Sequence, residues 1–432
     1  MRNVSVFQIV VLALFIFIAM VGIAVFAGFG GTNRVAIPKA TIWGTVPGGL
    51  ITELVRNINI KETLIEVNYV EKDPETFERD FVNALAEGNG PDAVLLTDDM
   101  LYSQRNKLQL IPPATLDSRT YLNTYIDAAS LFADKEGITG IPFMIDPMVM
   151  YWNKNIFSFA GVSRPPYRWS ELQVMAPAII KKTDTARVTQ ALVALGEYQN
   201  LTHAKEVLVT LFMQAGNKIS AKNPLTGATY SVIDDRDDGM SVDPETLIQF
   251  FGSFANPSDK VYSWNRSMPP SQQAFLNGNL ALYFGFASEL RRIQEKNPNL
   301  NFDVAAMPND PNGYPAVYGR ITAFSIVKRA KNPQGAYAVI NKLTSPDVLK
   351  ILSELTNLPP VRREMLTERP ADPYMTIFYK SAIQSQSWYD PDAAESDTIF
   401  GDMIESITTG RKKVTNALSE TSEKLDRLYS TR

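Results

Sequence analysis

Apolar and polar positions divide the chain into stretches of different period. From Val4 to Gly30 nearly every residue is Val, Ile, Leu, Phe, Ala or Gly, and no charge stands between Arg2 and Arg34. A helix crosses a bilayer with about 20 apolar residues, and a cleavable signal has an apolar region of only about 7–15. The run exceeds both lengths. It predicts an N-terminal membrane anchor over residues 1–34, with cleavage near Ala27 as the alternative. In both cases the rest of the chain is expected outside the cytoplasmic membrane, on a single-pass anchor or released.

Past the anchor, strand and helix periods alternate. Ala40–Gly44 reads as a buried strand that ends in the glycine-rich loop Thr45–Gly49, and a helix follows over 50–57. Leu64–Val70 alternates apolar and polar, as a half-buried strand does. Asp73-Pro74-Glu75 offers a cap, a proline for the first helical position and an early acid. The helix it starts carries Phe77, Phe81 and Leu85 on one face and stops near Gly88. Pro91–Leu96 is a short buried strand closed by Thr97-Asp98-Asp99. This alternation predicts an α/β unit with a mostly parallel sheet. Ligands of such sheets sit beyond the carboxyl ends of the strands, where Thr45, Asp98 and Asp99 stand. Asp98 reads better as a helix cap, and Asp99 reads equally well as cap or ligand contact.

The stretch Gly137–Lys154 departs from this rhythm. A turn at Gly137 and Gly140 leads into a long extended run in which Pro142 and Pro147 fix two backbone angles. It reads as a strand that leaves one body and enters another, with Asp146 as its only carboxylate between Ile141 and Tyr151. Helical periodicity returns at 201–215, where His203 reads as a cap or surface residue. Asp243-Pro244-Glu245 starts another helix, and Gln272–Gly278 is a helix that hands over to a strand ending at Gly285. Trp264 and Phe286 are candidate flat faces for a ligand, while Tyr283 and Phe284 read as core.

Composition narrows the chemistry. The 432 residues are 45% hydrophobic and 20% charged, with a net charge of −4, which gives no basis for general nucleic-acid binding. A chain this long predicts more than one lobe. It has no cysteine and a single histidine, so thiolate metal sites, a cysteine nucleophile and a repeated histidine relay are excluded. The absent cysteine also excludes lipid attachment at an N-terminal cysteine. Asp234 to Glu245 approaches calcium-loop spacing, but Arg236 stands at a ligand position and a cation cannot ligate. No metal, cofactor or catalytic residue is assigned. A carboxylate-pair hydrolase would need a second acid placed opposite Asp98 and Asp99, and the sequence offers none.

Gly137-Ile138-Thr139-Gly140-Ile141-Pro142, Tyr151-Trp152-Asn153-Lys154, Phe157, Ala160-Gly161 and Trp169 with Glu171-Leu172 resemble the signature of extracellular solute-binding proteins of ABC importers, the group that includes maltose-binding proteins. Phe275 with Gly278 and Ala281, Phe302 to Pro308, Lys331-Asn332-Pro333 and Leu358-Pro359-Pro360 continue it in order. The resemblance implies an α/β fold of two lobes joined by hinge crossovers. One lobe would comprise 35–143 and 321–358 and the other 147–318 and 362–432, with crossovers at 144–146, 319–320 and 359–361. It implies no enzyme. It implies a small solute, with sugar or oligosaccharide leading, captured between the lobes and passed to ABC permease subunits. Asp146, Asp99, Thr45, Trp264, Phe286, Arg320 and Trp388 are the implied ligand contacts, and Tyr389 and Phe400 lie in the C-terminal region that can add to them. A membrane-tethered sensor or adhesion module with the same fold is the alternative. The chain departs from the pattern at Leu96, where sugar binders carry tryptophan, and at Phe286.

Overall fold

The computed structural model describes residues 37–60, 64–236 and 239–431. The anchor expected over 1–34 lies outside the described residues, as do Asp237 and Asp238 of the acidic turn. Among the described residues no helix is long and apolar enough to cross a membrane. Residues 39–432 form one compact unit.

The first strands and helices follow the pattern of the sequence. They are β1 (Lys39–Gly44), α1 (Gly48–Ile60), β2 (Glu66–Glu71), α2 (Phe77–Ala86), β3 (Ala93–Thr97) and α3 (Asp98–Gln104). β1 pairs in parallel with both β2 and β3. Asp73 does not cap α2 but accepts from the Glu75 amide at 2.8 Å in a turn before it, so the helix starts later than its proline suggests. Gly88 turns the chain out of α2 at a φ of 73°, a left-handed conformation that glycine adopts without strain.

β4 (Ile141–Asn153) is the thirteen-residue strand that joins the two halves. After it come β5 (Val188–Val193), α4 (Ala204–Gln214), β6 (Leu280–Phe286), β7 (Phe302–Ala305), β8 (Val317–Ile326), β9 (Ser385–Gln386), α5 (Ala393–Thr408) and α6 (Val414–Thr431). A single ten-stranded sheet runs β2-β1-β3-β8-β4-β6-β5 and ends on the short edge Lys181–Lys182. β7 adds to β4, and β9 adds to β8. The first half of β4 pairs with β8 and its second half with β6 and β7, so the strand belongs to both halves of the sheet.

Two hydrophobic cores lie on either side of this joint. The first gathers Ile42, Leu54, Phe81, Leu95, Phe132, Phe143, Ile145, Phe324 and Leu349. The second gathers Met148, Tyr151, Trp169, Phe212, Phe251, Trp264, Phe284 and Phe400. β4 passes from one core to the other between Ile145 and Met148, across Asp146-Pro147. The chain after Pro360 does not turn wholly to the second core: Val361, Leu366 and Ala382 pack in the first, whereas Leu358 and Phe378 pack in the second. A helix over Pro373–Ile383 therefore straddles the joint, because its successive turns present apolar side chains to both sides.

Candidate functional site

β4 and β8 cross the joint side by side, and their register sets Asp146 opposite Arg320 and Pro147 opposite Gly319. A Cβ on Gly319 would stand 2.5 Å from the Ser385 hydroxyl, so only glycine lets β9 lie this close. Asp146 Oδ1 accepts from the Ser288 amide at 3.0 Å. Arg320 keeps 38% of its side chain accessible and approaches Glu206 of α4 at 3.6 Å. Its guanidinium also lies over the Phe286 ring, 4.3 Å from the ring centre.

Asp146, Arg320 and Glu206 are half-buried: each keeps some open surface, yet protein surrounds it on most sides. The electrostatics agree. Burial pushes the Asp146 carboxyl up to about 6, against the Ser288 hydrogen bonds and the Arg320 charge, which act to lower it. Burial pulls Arg320 down, but Tyr318, Glu206, Asp146 and Asp98 outweigh it and hold the guanidinium charged. Next to Glu206, a cavity of about 510 Å³ is lined by Tyr198, His203, Glu206, Asp397 and Gly401, within the size range of small-molecule sites.

His203, on the threshold of α4, is neither its side-chain cap nor a free surface group. Its backbone is left-handed, with φ 63°, and the side chain makes no cap bond. Its Nε2 lies 2.6 Å from Glu289 and its ring stands edge-on to Phe286 at 4.8 Å. The side chain is thus held from both directions by groups at the end of β6. Burial acts to raise Glu289, but His203, Tyr283 and the Phe286 amide outweigh it and lower its carboxyl.

A second polar cluster joins the halves beside the cleft. Asp98 does not cap α3; it is buried, and accepts from the Tyr318 hydroxyl at 2.6 Å and from the Ser387 hydroxyl. Its Oδ1 has no partner. Burial, with the neighbouring Asp99 charge, pushes the Asp98 carboxyl up to about 7, while Ser387, Tyr318 and Arg320 act to lower it. Asp99 itself accepts from the Thr97 hydroxyl.

Of the residues singled out from the sequence, the structure brings Asp146, Arg320 and Phe286 together. Phe286 is 1% exposed, not a surface ring, because Arg320 and His203 cover it. Asp99 stays half-buried beside Asp98, and Thr45 follows the end of β1, next to the end of β3. Trp264 is not on the cleft: it lies in the second core at 1% exposure, its indole N–H satisfied by Asn200 at 2.9 Å. Trp388 is also buried, edge-on to Phe400. Glu206, Tyr318, Ser387 and the Ser288 amide were not singled out. No local pattern marks them, since each gains its role from a partner far away in the chain.

The family profile of bacterial extracellular solute-binding proteins matches residues 53–376, and the chain belongs to this family. A protein of Brucella abortus (strain 2308), described only as a binding protein, is 24% identical over 262 residues. That alignment takes in 59% of this chain and 54% of the relative, so the chain spans about half the length of the curated relatives it matches. Among solved structures, a cyclo/maltodextrin-binding protein complexed with maltotetraose has a TM-score of 0.72 at 16% identity, covering 92% of this chain and 98% of its own. The sugar-binding protein MalE of Xanthomonas citri matches equally well in fold, with a TM-score of 0.72 at 16% identity over 91% of this chain and 98% of its own. At these identities the likeness establishes the mixed α/β fold of two-lobed binding proteins, to which this chain conforms.

Proposed function

We propose that the protein captures a sugar or oligosaccharide in the cleft between its lobes and delivers it to the permease of an ABC importer. The observation that supports this reading is the pair of strands β4 and β8, whose register sets Asp146 opposite Arg320 where the two cores meet. A carboxylate that accepts and a guanidinium that donates are groups that a polyhydroxylated ring requires. The relatives in fold bound to maltotetraose, α-D-tagatose and mannotriose support the solute class.

Binding acts by shifting an equilibrium between open and closed lobes, since a ligand touching both lobes favours the closed form by its differential affinity. The proposed site residues are Asp146, Arg320 and Glu206, with Phe286 supporting the Arg320 guanidinium from beneath and Thr45 and Asp99 at the ends of β1 and β3. The N-terminal apolar run would hold the binding domain at the outer face of the membrane.

Thermal shift and calorimetry of the purified protein against maltotetraose, mannotriose and tagatose test the proposal, with glycerophosphocholine and amino acids alongside. A carbohydrate that binds only the native state raises the apparent stability, by about 2.7 kcal/mol at a hundredfold excess over Kd. Stabilisation by a non-carbohydrate and by none of the sugars would overturn the solute class.

A further inference from the structure

The turn after β6 carries two groups that shape the proposed site. Phe286 lies beneath the Arg320 guanidinium, and the Ser288 amide donates to Asp146 at 3.0 Å. The Ala287 amide between them donates to the Pro147 carbonyl at 3.0 Å, so the turn is pinned to β4 at both Asp146 and Pro147. Glu289, the first residue of the helix Glu289–Lys296, holds the turn from behind: its Oε1 accepts from the Phe286 amide at 3.0 Å. Its Oε2 accepts from the Tyr283 hydroxyl at 2.6 Å and from Gln272 Nε2 at 2.5 Å. The oxygen that holds the turn also meets His203 Nε2 at 2.6 Å.

This last contact comes from 86 positions away, and His203 is the single histidine of the chain. Glu289 is held ionised although burial opposes its charge, and an ionised carboxylate only accepts, so Nε2 carries the proton and donates. The His203 backbone sits at a φ of 63°, a region that residues with a Cβ seldom occupy, and its side chain makes no bond to the first amides of α4. The ring instead bridges from α4 to the end of β6, edge-on to Phe286 at 4.8 Å. Glu206, in the first turn of α4, approaches Arg320. The start of α4 therefore reaches the Arg320–Phe286 pair through two side chains. Glu206 acts on the guanidinium, and His203 acts on the ring beneath it and on the carboxylate that fixes that ring's backbone.

We infer that His203 is a positioning residue for the solute site: by donating to Glu289 Oε1 it fixes the Phe286–Ser288 turn, and with it the seat of Arg320 and the bond from Ser288 to Asp146, before solute arrives. The inference rests on the reading of Asp146 and Arg320 as solute contacts. A site ordered in advance loses less freedom on binding, so the brace strengthens capture.

Amide NMR of the ligand-free full chain, with the Phe286 and Ser288 signals assigned, tests the brace without any ligand. His203→Ala should shift or broaden both signals, and His203→Gln, whose Nε2 also donates, should restore them. In calorimetry with maltotetraose, the alanine variant should bind about tenfold more weakly and the glutamine variant within about twofold of the wild type. If His203→Ala does not fold, His203→Asn replaces it with the same expectation, since asparagine accepts the left-handed backbone and is too short to reach Glu289. Unmoved amides in the alanine or asparagine variant, even beside weaker binding, would mean that His203 touches the solute rather than positioning the turn, and would overturn the inference. Failure of glutamine to restore the signals would do the same, because ring packing and not the donated bond would then hold the turn. So would displaced amides beside an unchanged affinity. Failure of the wild type to bind maltotetraose would strike the solute reading alone, since the amide signals report the brace by themselves.

Discussion

Tyr318 and Arg320 lie two residues apart on β8 and serve opposite purposes. Arg320 keeps 38% of its side chain accessible, lies over Phe286 and approaches Glu206 at a loose 3.6 Å. Tyr318 turns into the closed seam, where its hydroxyl meets the buried Asp98 at 2.6 Å. The two neighbourhoods share a strand and hold a carboxylate each, yet they differ in exposure. On the floor the polar groups are accessible and incompletely committed, which leaves capacity for a ligand. In the seam they are buried and Asp98 Oδ2 takes both hydroxyls, while Oδ1 has no partner, which makes the cluster a fastening rather than an open group. Under the proposed function, solvent access separates a binding group from a fastening group.

The largest test of this contrast is Asp98→Asn. Asp98 titrates at about 7 in the folded state against an ordinary 3.8, so the folded protein holds a proton that the unfolded chain releases. Its contribution to stability is fully present below about pH 4 and is lost as the pH rises through 7. Asparagine has no such proton, so the variant should gain on the wild type from pH 4 to 7 and hold that gain above, with a ceiling of about 4 kcal/mol. Urea unfolding at pH 4.5, 6 and 8 measures this. A difference that does not vary with pH would mean that Asp98 is not held protonated in the seam.

On the cleft floor, Asp146→Ala should weaken carbohydrate binding by about 10–100-fold, the worth of one hydrogen bond to a charged group, while unfolding changes little. In the wild type the affinity should fall as the pH drops through about 6, because a protonated Asp146 no longer accepts two hydroxyls. Asp146→Asn should flatten that profile in calorimetry. A steep profile that survives in the variant would assign the titration to another group.

Tyr318→Phe should cost about 1–3 kcal/mol in chemical unfolding by leaving Asp98 short of a donor. Carbohydrate affinity should move far less than for Asp146→Ala; an equal fall in both would erase the distinction between seam and floor. The smallest effect is expected from Trp264→Phe. It should cost about 1 kcal/mol through the lost bond to Asn200 and leave ligand affinity unchanged, since the ring lies in the second core. A loss of affinity there would return Trp264 to the site.

Much of the fold was legible in the chain because local rules decide it. The alternation in 64–70, the apolar face of Phe77 and Phe81, and the proline after Asp243 fix strand, helix and helix start through neighbours a few residues away. The strand through Pro142 and Pro147 was legible for the same reason, and with it the joint between two bodies and Asp146 at its centre. What the tertiary structure decided was which polar groups meet. Arg320 gains Glu206 from 114 positions away and Asp98 gains Ser387 from 289. Trp264 and Phe286 look alike as aromatic candidates and both are buried in the second core, but only Phe286 lies beneath Arg320. The reason is physical: secondary structure is set by short-range sterics and periodicity, whereas burial, pairing and proton affinity depend on what the fold brings alongside.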